Sequence, residues 1–282
     1  AGESPDHFPE IRATLDLWGF NSYGEYLYNV CELGFLEGLI PVLEIGSLSK
    51  ETLETVSEII GGVKVMLDSV NAKVYNQVYP NSPGKHIEKR LKMLQLTGRM
   101  GIPTMTGIMV GIGESVSHRR NALEVIAKLH KTFGHIHEVT IQNFVPQEGT
   151  AFESKKPASH KEMLKTVGMA LEILPEDILV NVPFHMVDNP IDYIDLGIRD
   201  LGVVPFGKYV AHSSTAASID KTVSEIRKAG YTLQQRFPLK QSFIRNGQYS
   251  DKLGQVLDAY KYRLKKRDQE KSKELKLSMV AG

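Results

Sequence analysis

The sequence predicts an α/β chain organised as a (βα)8 barrel that lacks its first βα unit or units. Three observations carry this reading. Short apolar segments alternate with longer amphipathic ones, six strands follow one another with helices between them, and 282 residues suit one barrel domain better than two smaller ones. The opening Ala1-Gly2-Glu3-Ser4-Pro5 carries no Met and leads straight into a turn, so the chain is expected to begin inside a domain.

The elements follow in order. Leu39–Ile45 reads as the first strand, and Ser49 caps a helix running to about Ile60. Val63–Leu67 is the next strand, with Asp68 at its C-terminal end. A loop through Pro80-Asn81-Ser82-Pro83-Gly84 leads to a helix from about His86 to Arg99, whose apolar face is Ile87, Leu91, Leu94 and Leu96. Ile102–Ile112 is the third strand, and Val116–Phe133 is a helix with Ala122, Val125, Ile126 and Leu129 turned inward. Glu138–Val145 is the fourth strand, Ser159–Leu174 a helix and Leu179–Pro183 the fifth strand. Leu201–Val204 or Tyr209–Ala211 supplies a sixth, before a helix over Ser218–Ala229. Residues 1–248 are expected to form the partial barrel and 249–282 a basic helical tail with a solvated face.

Bulk composition excludes several classes of partner. A net charge of +1 with 24% charged residues predicts neither a nucleic-acid nor a membrane partner. No apolar run reaches membrane-spanning length and no signal pattern opens the chain, so a soluble, cytoplasmic protein is expected. Cys31 is the only cysteine, which excludes an internal disulfide and any cysteine-ligated metal site within the chain. His135 and His137 have spacing that suits a metal, but they precede the fourth strand, at the stability end of a barrel, so no metal ligand is assigned.

Chemistry in a βα barrel sits at the C-terminal ends of the strands. Those ends are polar here: Glu44, Asp68, Glu114, the pair Gln142 and Asn143, and His185 after the fifth strand, a convergence expected of a ligand pocket. The segment from Thr106 to Ser115 adds Gly107, Gly111 and Gly113, which let backbone approach closely, and then Glu114 and Ser115, which suit a helix N-terminus. Glycines chosen only for turn geometry remain an equal reading of that segment alone. No phosphate loop, HExxH pattern or Ser/His/Asp order is present to direct the chemistry elsewhere.

Three stretches carry a resemblance. They are Cys31-Glu32-Leu33-Gly34 with Gly38-Leu39-Ile40-Pro41; Ser82-Pro83-Gly84-Lys85 through Arg90 to Gly113-Glu114; and Leu129-His130 through Gly134-His135-Ile136-His137-Glu138-Val139, then Ile141-Gln142-Asn143-Phe144. With these, the chain resembles the radical S-adenosylmethionine (SAM) enzymes of the biotin synthase-like group. Among them it is most similar to the family of the first 7,8-didemethyl-8-hydroxy-5-deazariboflavin (FO) synthase subunit, lacking the N-terminal part. The resemblance implies a TIM-like radical SAM barrel and a SAM cradle. Gly2 and Glu3 would be the remainder of a GGE-type motif that offers acceptors to the SAM ammonium. Asp68 matches the position that bonds the ribose or methionine part, and Arg90 a basic residue that pairs with the SAM carboxylate. Gly107, Gly111, Gly113 and Glu114 match the GxIxGxxE motif, with Met109 in place of Ile, and backbone near Phe144 and Val145 would meet the adenine.

The implied chemistry is cleavage of SAM by an electron from a [4Fe-4S] cluster, giving a 5′-deoxyadenosyl radical that takes hydrogen from a 4-hydroxybenzyl adduct of ribitylaminouracil. Closure of the deazaflavin ring, a step of coenzyme F-420 biosynthesis, expels ammonia. A second FO synthase subunit would supply the adduct, and an electron donor the reducing equivalent. Glu44, Gln142, Asn143 and His185 are the substrate-binding candidates, from position alone; no catalytic side chain is singled out. The family holds its cluster with a CxxxCxxC loop that is absent here, so this chain alone is expected to be inactive. Pro41–Ile45, Val182–His185 and Lys208–His212 also depart from typical members. Two alternatives follow from these departures: a related radical SAM enzyme acting on another aromatic or pyrimidine substrate, or a SAM-binding barrel without redox chemistry.

Overall fold

The computed structural model describes residues 5, 8–80, 82, 85–183, 189–202, 216–234, 236–239, 241–263 and 266, with backbone alone at 216–220 and 241. Five strands, β1 (Val42–Leu43), β2 (Gly62–Lys64), β3 (Thr104–Val110), β4 (Ile136–Asn143) and β5 (Leu179–Asn181), form one parallel sheet in the order of the chain. A parallel bridge from Asn181 to Asp200 adds a sixth position beside β5. Sequential order without reversal is the winding of a barrel, whereas a doubly wound sheet changes direction part-way. Between the strands run α3 (Lys50–Val56), α4 (Ala72–Val78), α5 (Ile87–Arg99), α6 (Val116–Phe133) and α7 (His160–Ile173); α1 (Pro9–Leu17) and α2 (Tyr23–Leu36) precede them, and α8 (Pro190–Leu196), α9 (Ala216–Lys228) and α10 (Gln241–Arg245) follow.

Local signals set the helix limits. Ser49, Asn71, Ser115 and Ser159 each accept, through the side chain, a backbone N–H at the start of the helix they cap. Helix α6 ends at Gly134 in the left-handed conformation. The strands depart from expectation in length. The first contracts to Val42–Leu43, because Pro41 has no N–H to give the ladder and contributes only its carbonyl, which accepts from Gly61. The fourth begins two residues early, at Ile136, and takes in His137. Helices α1, α4, α8 and α10 were outside the expected set. Of the two candidates for a sixth strand, the bridge at Asp200 falls just before Leu201–Val204; Tyr209–Ala211 and residues 203–204 lie outside the described residues, as does the tail beyond 263 apart from residue 266. The helix over 251–263 sets Leu253 and Leu257 against Leu239 and Phe243 in a small second core.

The sheet has two distinct faces. Val65, Leu67, Ile108, Val110, Val139, Ile141 and Val180 join Leu94, Ile126 and Val167 of the helices in the main core. The alternate residues face the other way, as the period of a strand requires, and this inner face carries Glu138, Thr140, Gln142 and Asn181. Gly107, Thr140 and Asn181 lie in one row across three strands. A Cβ on Gly107 would stand 2.2 Å from the Thr140 carbonyl oxygen and 2.6 Å from Met66 Cε, so only glycine fits at position 107. Gly107→Ala is therefore expected to cost about 3 kcal/mol or more, the upper end of overpacking penalties. Urea unfolding measures it, and a loss below about 1 kcal/mol would show that β3 and β4 slide apart freely.

Candidate functional site

At the C-terminal end of β2 the chain keeps pairing beyond the strand proper. The Leu67 and Asp68 amides both donate to the Gly107 carbonyl, at 3.1 and 3.0 Å, and Met109 N–H donates to the Asp68 carbonyl. Two donors on one acceptor force a kink, and among the described residues Asp68 is the non-glycine with positive φ, 61°. Asp is one of the few side chains that tolerate this conformation. The kink points the Asp68 carboxylate inward, where it is 4% exposed. Its Oδ2 accepts from the Tyr79 hydroxyl at 2.9 Å, and its Oδ1 has no partner among the described residues.

Burial raises the Asp68 carboxyl from its ordinary value to about 6, against the opposing pull of the Tyr79 hydroxyl, Lys85 and Lys64. Tyr79 is pushed upward by burial and by Asp68, so its hydroxyl stays a donor, and Lys85 Nζ lies 4.2 Å above its ring. An unpaired, buried carboxylate oxygen on a kinked strand end is costly to the free protein and is repaid only by a hydrogen-bond donor brought by a ligand. Arg90, on α5, is buried as well, and desolvation lowers its guanidinium to about 10.

The glycine segment after β3 is held from behind. Gly111 and Gly113 adopt φ of 94° and 105°. The Glu114 carboxylate folds back onto this turn, Oε1 accepting from Gly111 N–H at 2.9 Å and Oε2 from Ile112 N–H at 2.8 Å. Arg119 donates from Nε to Glu114 Oε1 at 2.6 Å, from Nη2 to Glu162 Oε1 at 2.5 Å and from Nη1 to Thr166 Oγ1 at 3.1 Å, which ties the turn to both α6 and α7. With these N–H groups spent on Glu114, the Gly111 and Ile112 amides are not offered to a ligand at the turn. A carboxylate already holding these amides makes the turn a poor seat for a phosphate.

The sites expected from sequence separate into groups. Asp68 lies four residues beyond β2, Arg90 on α5, Gly107 on β3, and Gly111, Gly113 and Glu114 in the turn into α6, with Glu114 acting as the brace of the turn. Phe144 continues from β4, its N–H donating to the Val110 carbonyl at 2.8 Å, with Val145 next in the chain. Gln142 lies on the inner face opposite Met109. Asn143 turns the other way, and both ends of its carboxamide are taken by the Ala158 backbone at 3.0 Å. Glu44 is exposed and paired with Lys64 Nζ at 2.9 Å. Gly2, Glu3 and His185 lie outside the described residues. His135 sits behind the sheet, one ring nitrogen on the Leu94 carbonyl, and burial lowers it to about 4.

Sequence reasoning passed over Tyr79, Arg119 and Asn181. Arg119 had a signal, a basic residue one turn into the helix that Glu114 precedes, and Asn181 is a polar residue at a strand end once that strand stops there.

A [4Fe-4S] cluster asks for three thiolates. The sequence offers Cys31 alone, buried in the core with its thiol pushed up by burial, and the described residues include no group of three or more His, Cys, Asp or Glu able to hold a metal. The residues present do not fit a cluster. They do fit a hydroxyl-bearing adenosyl ligand, through the open Asp68 oxygen.

No protein-family model matches the sequence. Among curated proteins, the chain is 32% identical over 262 residues to the 7,8-didemethyl-8-hydroxy-5-deazariboflavin synthase of Archaeoglobus fulgidus, across 92% of this chain and 80% of the relative. It is 34% identical over 262 residues to the protein of the same name from Methanococcoides burtonii, across 91% and 77%. Among solved structures, methylornithine synthase superposes with a TM-score of 0.58 at 15% identity, over 74% of this chain and 64% of that one. The [FeFe]-hydrogenase maturase HydG superposes with a TM-score of 0.59 at 16% identity, over 75% and 48%. These two likenesses show the fold, a parallel βα arrangement of the TIM-barrel kind.

Proposed function

Because the chain belongs to the 7,8-didemethyl-8-hydroxy-5-deazariboflavin synthase family, we propose that its protein closes the deazaflavin ring of FO from a 4-hydroxybenzyl adduct of ribitylaminouracil. The observation that carries this is the identity to synthases of that name across nine-tenths of the chain. When bound, SAM supplies the hydrogen-abstracting chemistry. The chain's own residues bind and orient it. Asp68 Oδ1 accepts from a ribose hydroxyl while Tyr79 holds the other oxygen fixed, and Arg90 offers a guanidinium to the carboxylate of the methionine part. The turn at Gly111–Gly113 and the backbone at Phe144 and Val145 would flank the adenine, kept in place by the Glu114–Arg119 brace. The cluster and the electron donor belong to parts of the reaction that the residues present do not hold, and no step is derived through them.

The inner face contributes Gln142 toward the substrate. Anaerobic incubation of the complete protein with SAM, a reductant and the adduct is expected to yield 5′-deoxyadenosine and FO in equal amounts, read by mass spectrometry and deazaflavin fluorescence. No 5′-deoxyadenosine with the adduct present would overturn the reading. 5′-Deoxyadenosine formed without FO would keep the radical chemistry and move it to another substrate.

A further inference from the structure

Asn181, at the end of β5, is 1% exposed, and neither its Oδ1 nor its Nδ2 has a partner among the described residues. Its polar surroundings are already matched to one another. Arg236 donates to both oxygens of Asp200 and to Glu138 Oε2, and the Gly202 amide also donates to Asp200 Oδ1. Among the described residues, none of these groups bonds the carboxamide. Asn181 shares its row with Thr140 and Gly107 on the inner face, and the Asp68–Ile108 bridge lies one residue beyond Gly107. Across from it, a Cβ on Gly202 would come within 3.2 Å of Asn181 Oδ1, so the chain passes close beside the amide without bonding to it.

A carboxamide presents one donor and one acceptor side by side. Its complement is a ring N–H adjacent to a ring carbonyl, as on the imide edge of a pyrimidinedione. Burying such a group unpaired is unfavourable, and a site built to bond it rejects ligands that lack the complement. We propose that Asn181 reads the pyrimidinedione ring of the substrate, Nδ2 donating to a ring carbonyl and Oδ1 accepting from the adjacent N3–H. This rests on the ribitylaminouracil substrate proposed above and adds the residue that recognises its heterocycle.

The test is equilibrium binding by titration calorimetry, in the presence of SAM, of 6-ribitylaminouracil and of its N3-methyl derivative. N3-methylation is expected to weaken binding to the native protein at least tenfold. Asn181→Leu is expected to weaken binding of the parent ligand by a similar factor, with N3-methylation then making no further difference, since the two changes remove the same bond. Thermal unfolding of the ligand-free Asn181→Leu protein is expected at or above the native temperature, because the native amide has no bond to lose; a structural asparagine would lower it. Equal affinity of the native protein for both ligands, or an undiminished N3-methyl penalty in the variant, overturns the assignment. A native protein that binds neither ligand overturns both the assignment and the substrate on which it rests.

Discussion

Arg119→Leu is expected to lower the folding free energy by roughly 3–5 kcal/mol, the cost of leaving one partner of a buried ion pair uncompensated. The Glu114 side chain is 2% exposed and that of Arg119 4%, so water cannot take the place of the lost guanidinium. Two backbone N–H groups still face Glu114, but neither carries a full charge. The change also detaches Glu162 and Thr166 from the turn, so α6 and α7 lose their shared anchor. The double variant Arg119→Leu/Glu114→Gln removes the charge along with its partner and is expected to recover part of the loss. Urea unfolding measures both. A loss below about 1 kcal/mol for Arg119→Leu would show that the turn is held by its glycines alone.

Asp68→Asn is expected to move stability and binding in opposite directions. Asparagine keeps the side-chain shape and tolerates the positive φ, but it carries no charge to desolvate. The sign follows from linkage. Burial raises the Asp68 carboxyl from 3.8 to about 6, so the folded protein holds this proton more tightly than the unfolded chain does. The stability contributed by the proton is present at acid pH and is lost as pH rises through that interval. Above about pH 6 the native protein carries the whole penalty, on the order of 3 kcal/mol, and Asp68→Asn is relieved of it. At pH 8 the variant is expected to melt higher than the native protein, and at pH 4 the difference should largely vanish. SAM affinity should fall by about tenfold or more, because a charge-assisted bond worth roughly 1.5–3 kcal/mol is replaced by a weaker one. In the native protein that affinity should rise with pH through about 6, since the ionised carboxyl is the better acceptor. A variant that binds SAM as tightly as the native protein, or that melts lower at pH 8, would remove Asp68 from the site.

What could be read from sequence follows from which forces are local. Helix α6 was legible to the residue because both of its ends are written in adjacent side chains, the Ser115 cap and Gly134. Asp68 was legible as a strand-end acid, but its kink was not, since it arises from the distant Gly107 carbonyl on the next strand. His137 read as a residue before a strand because imidazoles are polar, whereas the fold buries it within β4. Gln142 and Asn143 read as one polar pair. The alternation of a strand sends them to opposite faces, and only Ala158, brought back by the next loop, settles what Asn143 does. Arg119 and Asn181 went unread because their importance depends on partners gained or withheld in three dimensions.

A crystal structure of the protein soaked with SAM tests the central claim most directly. The ligand is expected at the C-terminal ends of β2, β3 and β4, with a ribose hydroxyl within about 3 Å of Asp68 Oδ1 and the adenine beside the turn braced by Glu114. SAM bound elsewhere, with that carboxylate oxygen still unpartnered, would contradict it.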